Sequence, residues 1–353
     1  MPDARDRHSD PFLYSVHGLR FVAAAFVVFA HSRWELGLSD IGAFGVDIFF
    51  VISGFIISHV TAHDPSRFLI KRIIRIVPLY WFATLSLSVV ALAAPHLLNS
   101  ARFDAERLVS SLFFIPYWNP STEFAPILKL GWTLNLEMFF YLLFWVSMQI
   151  SHAHREAVCG LFLVILASLH SLFAETSAFR FLTTPIVIEF AFGMAMAVMW
   201  RNLKHPMLPA AGALPLAVLC AASLVAITLH TGTVKEWGVP RFIYFGLPSA
   251  LLFWAALSCE PFLGTCRERA KDAIRMLGDI SYSVYLIHIY VIAALHRVLG
   301  FDFFGMAAPF FLLSLALVSA LSLLSFRFVE RPSRRYLMAF FRPAERPRRQ
   351  AAV

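Results

Sequence analysis

Along almost the whole chain, apolar residues gather into runs of roughly 17 to 25, the length that crosses about 30 Å of hydrocarbon at 1.5 Å per residue. Ten such runs stand out, approximately over 13–32, 42–60, 77–95, 130–150, 157–173, 183–200, 211–229, 242–258, 281–299 and 305–326. The pattern predicts an all-α, polytopic membrane bundle of about ten transmembrane helices. The longest interval between runs, 96–129, leaves no room for a second folded domain. It contains LVSSLFFIPYWNP (108–120), too short to span and rich in aromatics, which reads as a re-entrant or interfacial segment. The expected organisation is an N-terminal segment 1–12, a membrane domain 13–335 and a basic tail 336–353. The arginines and prolines of the tail after Arg342 predict disorder and attraction to anionic headgroups.

Composition agrees with the pattern. Hydrophobic residues make up 59% of the 353, charged residues only 15%, and the mean hydropathy is +0.70. A net charge of +8 could suggest nucleic acid, but the positive residues follow the loops on one side. With an even number of spans and the N-terminus inside, the inner segments hold 21 of the 30 basic residues. They are Arg5, Arg7, Arg67, Lys71, Arg72, Arg75, Arg155, Arg201, Lys204, Arg267, Arg269, Lys271, Arg275 and the eight arginines from Arg327 to Arg349. The outer segments hold Arg33, Arg102, Arg107, Lys129, Arg180, Lys235, Arg241 and Arg297. Such a bias places both termini in the cytoplasm and gives no reason to invoke nucleic acid. The first run lacks a small-residue cleavage pattern and is read as a retained span. Cys159, Cys220, Cys259 and Cys266 show no metal or CxxC spacing and read as apolar fillers, so no metal site is expected.

Ionisable groups inside spans cost several kcal/mol and ask for a reason. In HGLRFVAAAFVVFAHS, Arg20 and His31 are eleven residues apart, which leaves them about 20° apart on one helical face and roughly 16 Å apart along the axis. Asp47 opens the second span in GVDIFFVISGFIIS, near the same outer end as His31. Glu137 lies about two turns into the fourth, LGWTLNLEMFFYLLF. An imidazole and two carboxylates in one half of the bilayer are the ingredients of a general base and its orienting partner, although polar pairs that hold helices together use the same residues. Gly45, Ser53 and Gly54 read as helix contacts. At the inner face, SRFLIKRIIRIVPLYW carries Arg72 and Arg75 on one helical side, a pair suited to phosphate and equally to setting topology. In GDISYSVYLIHIY, His288 lies in mid-membrane, with Asp279, Ser281 and Tyr282 near the inner end. Glu330, in the ERP at 330–332, is expected to pair with a nearby arginine, and pattern alone assigns nothing to Glu189.

Taken in order, these stretches resemble the acyltransferase family three membrane proteins, above all their exopolysaccharide-production subgroup. The resemblance runs over residues 15–335. It rests on Arg20 with His31, GVDIFFVISGF, Arg72 with Arg75 before PLYW, LFFIPYWNP, GWTLNLEMFFY, GDISYSVYLIH and the final ERP. Each motif is short and apolar, but seven in sequence are specific. Two positions depart from the family's habit: His17 stands where an acidic residue is frequent, and Leu136 where an aromatic is. The resemblance implies transfer of an acyl group, usually acetyl, from cytoplasmic acyl-coenzyme A to a hydroxyl of a carbohydrate or lipid-linked carbohydrate at the bacterial inner membrane. It implies no tightly bound cofactor.

On that basis Arg20 and His31 are the expected essential pair, with Glu137 or Asp47 orienting the imidazole. Arg72 and Arg75, with Arg20 beyond them, are expected to bind the donor. His288, Tyr282 and Trp132 are candidates for acceptor contact or structural support. His31 would serve as general base or pass through an acyl-histidine, and both routes need the same histidine. The rival classes are a secondary transporter or lipid-linked sugar flippase, which would show inverted repeats and broken helices, and a polysaccharide polymerase, which would carry larger outer loops.

Overall fold

The computed structural model describes residues 12–32, 42–97, 103–120, 123–203, 208–231, 241–299 and 307–341. Arg5, Arg7, Arg33, Arg102, Lys204, Lys235 and the tail from Arg342 onward lie outside the described residues. Among those described the chain is helical, without a strand. Its helices are α1 (Tyr14–Ser32), α2 (Gly45–His63), α3 (Phe68–Ala93), α4 (Ala105–Leu112), α5 (Gly131–Ile150), α6 (Arg155–Ser168), α7 (Ala178–Leu182), α8 (Ile188–Leu203), α9 (Ala210–Thr231), α10 (Leu247–Ser258), α11 (Glu260–Gly264), α12 (Glu268–Leu299), α13 (Ala307–Ser325) and α14 (Arg331–Phe340). Nine helical stretches among the described residues are long and apolar enough to cross a membrane, and a shorter apolar helix occupies Phe242–Ser258. Together they fall on the ten predicted spans.

Two helices begin well before their apolar runs. α3 starts at Phe68 rather than near 77, and α12 at Glu268 rather than near 281. A hydropathy window stops at charged residues, whereas the helix continues wherever those charges can face water or a cavity. Arg72 and Arg75 therefore belong to α3 itself. α14 likewise runs through Phe340, into the basic tail expected from residue 336. The segment 108–120 is only partly helical: Asp104 caps α4 by accepting from the backbone N–H groups of Glu106 and Arg107 at 3.0 and 3.2 Å. Arg107 pins α4 by donating to the carbonyls of Ala125 and Pro126, both at 2.9 Å.

Lipid tails are as apolar as leucine, so close packing and polar contacts hold membrane helices together. α2 and α8 show both. A side chain at Gly54 would collide with the Phe190 carbonyl, and one at Gly193 with the Val51 carbonyl. At one end of this pair, Arg201 Nη1 donates to Ser58 Oγ and the Ser58 carbonyl at 3.0 and 3.1 Å, while its Nη2 reaches Glu156 Oε1 at 2.8 Å. α1 and α12 also run side by side in one direction, so that His17 packs on Gly278 near one end and His31 meets His288 near the other. Gly45 lies against the Ala23 carbonyl of α1. All three predicted helix contacts are contact points, Gly45 and Gly54 by close packing and Ser53 by hydrogen bonds to Glu137 and Tyr141 of α5.

Candidate active site

The first turns of α3 carry Arg72 and Arg75 towards the interior, where they meet Arg20 of α1. These three guanidiniums line two adjoining cavities. The deeper one spans about 720 Å³, part of it open to solvent, and is walled by Ser53, Thr133, Glu137, Tyr141 and Tyr285. The other, about 1370 Å³, lies towards the end where α1 begins and includes His17, His59, Asp279 and Glu330. Arg20, Ile56, Arg72, Arg75 and Tyr282 belong to both linings and so form the neck between them. Among the described residues, none of Arg20, Arg72 and Arg75 has a hydrogen-bond or ion-pair partner, and Arg72 Nε is buried. Arg20 itself is only 8% exposed. Guanidiniums held this way are left to water or to an anion that enters.

Glu137 faces the deeper cavity. Its Oε1 accepts from Ser53 Oγ at 3.0 Å and from the Tyr141 hydroxyl, and those two donors are themselves 3.3 Å apart. Tyr141 is four residues on from Glu137, one turn along the same face of α5. That spacing was the available sequence signal for Tyr141. Ser53 had none beyond its place in α2.

His31 does not line either cavity, and neither carboxylate orients it. Its Nδ1 donates to the Val27 carbonyl of its own helix at 2.9 Å, which makes Nε2 the acceptor nitrogen, without a partner among the described residues. The neighbouring imidazole is His288, with ring centroids 4.9 Å apart. His288 repeats the arrangement: Nδ1 donates to the Tyr285 carbonyl at 2.7 Å, and Nε2 is buried without a partner among the described residues. Tyr285 lies between this pair and the deeper cavity, 6.1 Å from His288 by ring centroids and bonded to Thr133 Oγ1 at 2.7 Å.

The expected contacts of His31 with Asp47 and Glu137 fail because both carboxylates turn elsewhere. Asp47 is fully buried and its Oδ2 accepts from Arg241 Nη2 at 2.8 Å. Arg241 directly precedes a π-helical turn, Phe242–Gly246, and its guanidinium lies over the Phe245 ring. Glu189, also fully buried, shares this cluster and packs on Gly246, where a side chain would meet its Cγ at 2.8 Å. By its place in the sequence Arg241 is an outer-loop charge, and the buried Asp47 carboxylate is what draws it inward. Glu330 accepts from Ser283 rather than from an arginine. Tyr282 donates to the Ile76 carbonyl at 2.8 Å and so ties α12 to α3 at the neck. Trp132 packs beside Phe50, outside both linings.

A membrane bundle with basic groups at a neck, a carboxylate beside it and a pair of imidazoles beyond suits group transfer better than conduction. A family model described as an acyltransferase domain matches residues 13–327. The chain belongs to this acyltransferase family. The exopolysaccharide production protein ExoZ of Rhizobium meliloti is 34% identical over 304 residues, covering 83% of this acyltransferase and 89% of ExoZ. The peptidoglycan O-acetyltransferase OatA of Listeria monocytogenes is 26% identical, and the O-acetyltransferase OatA of Staphylococcus aureus 24%. Each of these alignments covers 93% of the chain but only 57% and 58%, respectively, of the relative. No solved structure matches the chain.

Proposed function

We propose that this membrane acyltransferase moves an acyl group, acetyl in the simplest case, from acyl-coenzyme A to a hydroxyl of a carbohydrate at the bacterial inner membrane. The observation that carries the proposal is the neck: three guanidiniums without protein partners among the described residues, set between an entrance chamber and a deeper one. Coenzyme A offers the phosphates such groups bind and a slender arm that can pass them. The positive-inside bias supports a cytoplasmic entrance on the side of Arg72 and Arg75. The names of the relatives, one concerned with exopolysaccharide and two with O-acetylation, support a carbohydrate acceptor.

In the reaction, the acceptor oxygen attacks the thioester carbonyl carbon, a C–O bond forms and the C–S bond breaks. His31 Nε2 takes the hydroxyl proton, and the departing thiolate is protonated by solvent as coenzyme A leaves. The Val27 carbonyl keeps the other ring nitrogen protonated, so Nε2 is the basic one. The carboxylate of Glu137, held by Ser53 and Tyr141, faces the chamber that the acyl arm would fill.

The test is to replace His31 by alanine, confirm insertion by membrane fractionation, and compare ester groups on the exported polysaccharide by NMR. Loss of the esters is expected, and unchanged acylation would sink the proposal.

A further inference from the structure

The larger cavity has a second basic set that the neck does not account for. After the π-helical turn Phe326–Glu330 the chain forms α14, which packs along α3. Arg67 Nη1 secures it by donating to the Phe341 carbonyl at 2.9 Å. Arg331 and Arg334, three residues apart and so on one side of α14, line the larger cavity and not the deeper one. Arg335 lines neither. Among the described residues, Arg331 and Arg334 have no hydrogen-bond or ion-pair partner, and both are exposed. The larger cavity thus sets five guanidiniums against two carboxylates, Asp279 and Glu330. Glu330 is engaged by Ser283, and Asp279 lies 3.9 Å from His17.

The two basic sets occur in a definite order. From the deeper chamber outward come Arg20, Arg72 and Arg75 at the neck, then Arg331 and Arg334 at the mouth. Coenzyme A has a matching order of charges: outward from the sulfur lie an uncharged arm, a diphosphate, and then a ribose bearing a 3′-phosphate monoester. We infer that Arg331 and Arg334 bind the 3′-phosphate of the donor while the neck arginines hold its diphosphate, which makes α14 the element that selects the 3′-phosphorylated coenzyme. The inference rests on coenzyme A being the donor. A monoester offers three acceptor oxygens and a charge near −2, a better match for two free guanidiniums than the single charge of a lipid phosphodiester.

The full-length protein, purified in a neutral detergent, is titrated with coenzyme A and with 3′-dephospho-coenzyme A by calorimetry. Native protein is expected to prefer coenzyme A by on the order of ten- to a hundredfold, the range for losing one or two charge-assisted hydrogen bonds. The Arg331→Gln, Arg334→Gln double variant should lose that preference by weakening only coenzyme A. Arg335→Gln should keep it, and Arg72→Gln should weaken both ligands alike. Equal native affinity for the two ligands would overturn the inference, as would a double variant that weakens both by one factor. A preference that survives in the double variant overturns it too, as does competition by phosphatidylglycerol micelles that depends on Arg331 and Arg334 while the nucleotide preference does not. Native protein that binds neither nucleotide would instead refute the donor assignment itself. Arg331, Arg334 and Arg335 are exposed, and an unchanged melting temperature verifies that each variant, Arg72→Gln included, folds.

Discussion

The imidazoles of His31 on α1 and His288 on α12 lie 4.9 Å apart at an interplanar angle of 65°. Each donates its Nδ1–H to a carbonyl of its own helix, so each presents its second nitrogen as an acceptor. Removing the His31 ring should therefore remove a base while leaving the donor site, which it does not line, unaltered. His31→Gln is expected to lower the rate of ester formation roughly a hundred- to ten-thousandfold, the usual range for a general base. Coenzyme A affinity should stay the same in a direct titration. Weakened binding with the rate of bound enzyme preserved would place His31 in the donor site instead.

Asp47 and Arg241 predict a stability effect rather than a catalytic one. Arg241→Met strands a fully buried carboxylate beside Glu189, and breaking such a pair from one side typically costs about 3–5 kcal/mol. A second substitution, Asp47→Asn, should recover much of that loss. Thermal unfolding in detergent reads both, and a single variant that melts like the native protein would contradict the buried pair.

The close approach of α2 and α8 gives a steric prediction. Gly54→Ala drives a methyl into the Phe190 carbonyl and should cost about 1–3 kcal/mol or more. Gly160→Ala on α6 meets nothing within 4 Å and should be neutral or slightly stabilising, by up to about 1 kcal/mol. The Gly54→Ala variant should melt below the native protein, and the Gly160→Ala variant at or above it.

Asp64, in the connection between α2 and α3, supplies a pH dependence. The hydrogen bond from Lys71 foremost, then that from Ser66, lowers its carboxyl from the usual 3.8 to about 2. A carboxyl with a depressed folded-state pKa binds its proton more readily when unfolded. Its contribution is therefore complete above about pH 4 and disappears as the pH falls towards 2. The pair is exposed, so the effect should be small and salt-sensitive. Asp64→Asn should flatten that acid limb in melting curves taken between pH 2 and 5, and an unchanged limb would show that the pair contributes nothing.

The spans could be read from sequence because runs of apolar residues report the solvent directly. Which helix faces meet could not. A span touching lipid on one side and protein on the other is apolar all round, so periodicity gives little indication of facing. Arg20 was recognisable as a charge out of place and Arg72 with Arg75 as a pair suited to phosphate or to topology, and the three do converge. The partners of His31, Asp47 and Glu137 were not, since His288, Arg241 and Ser53 are far away in the chain and their contacts depend on helix rotation. Charged windows also hid the true starts of α3 and α12, and composition concealed the helix that presents Arg331 and Arg334.

The neck is the centre of the proposed mechanism, and the most direct test of it is donor affinity. Purified native protein titrated with coenzyme A should show saturable binding, and the Arg72→Gln, Arg75→Gln double variant should bind at least about tenfold more weakly, the lower range for lost charge-assisted hydrogen bonds. Equal affinities in native and double-variant protein would contradict it.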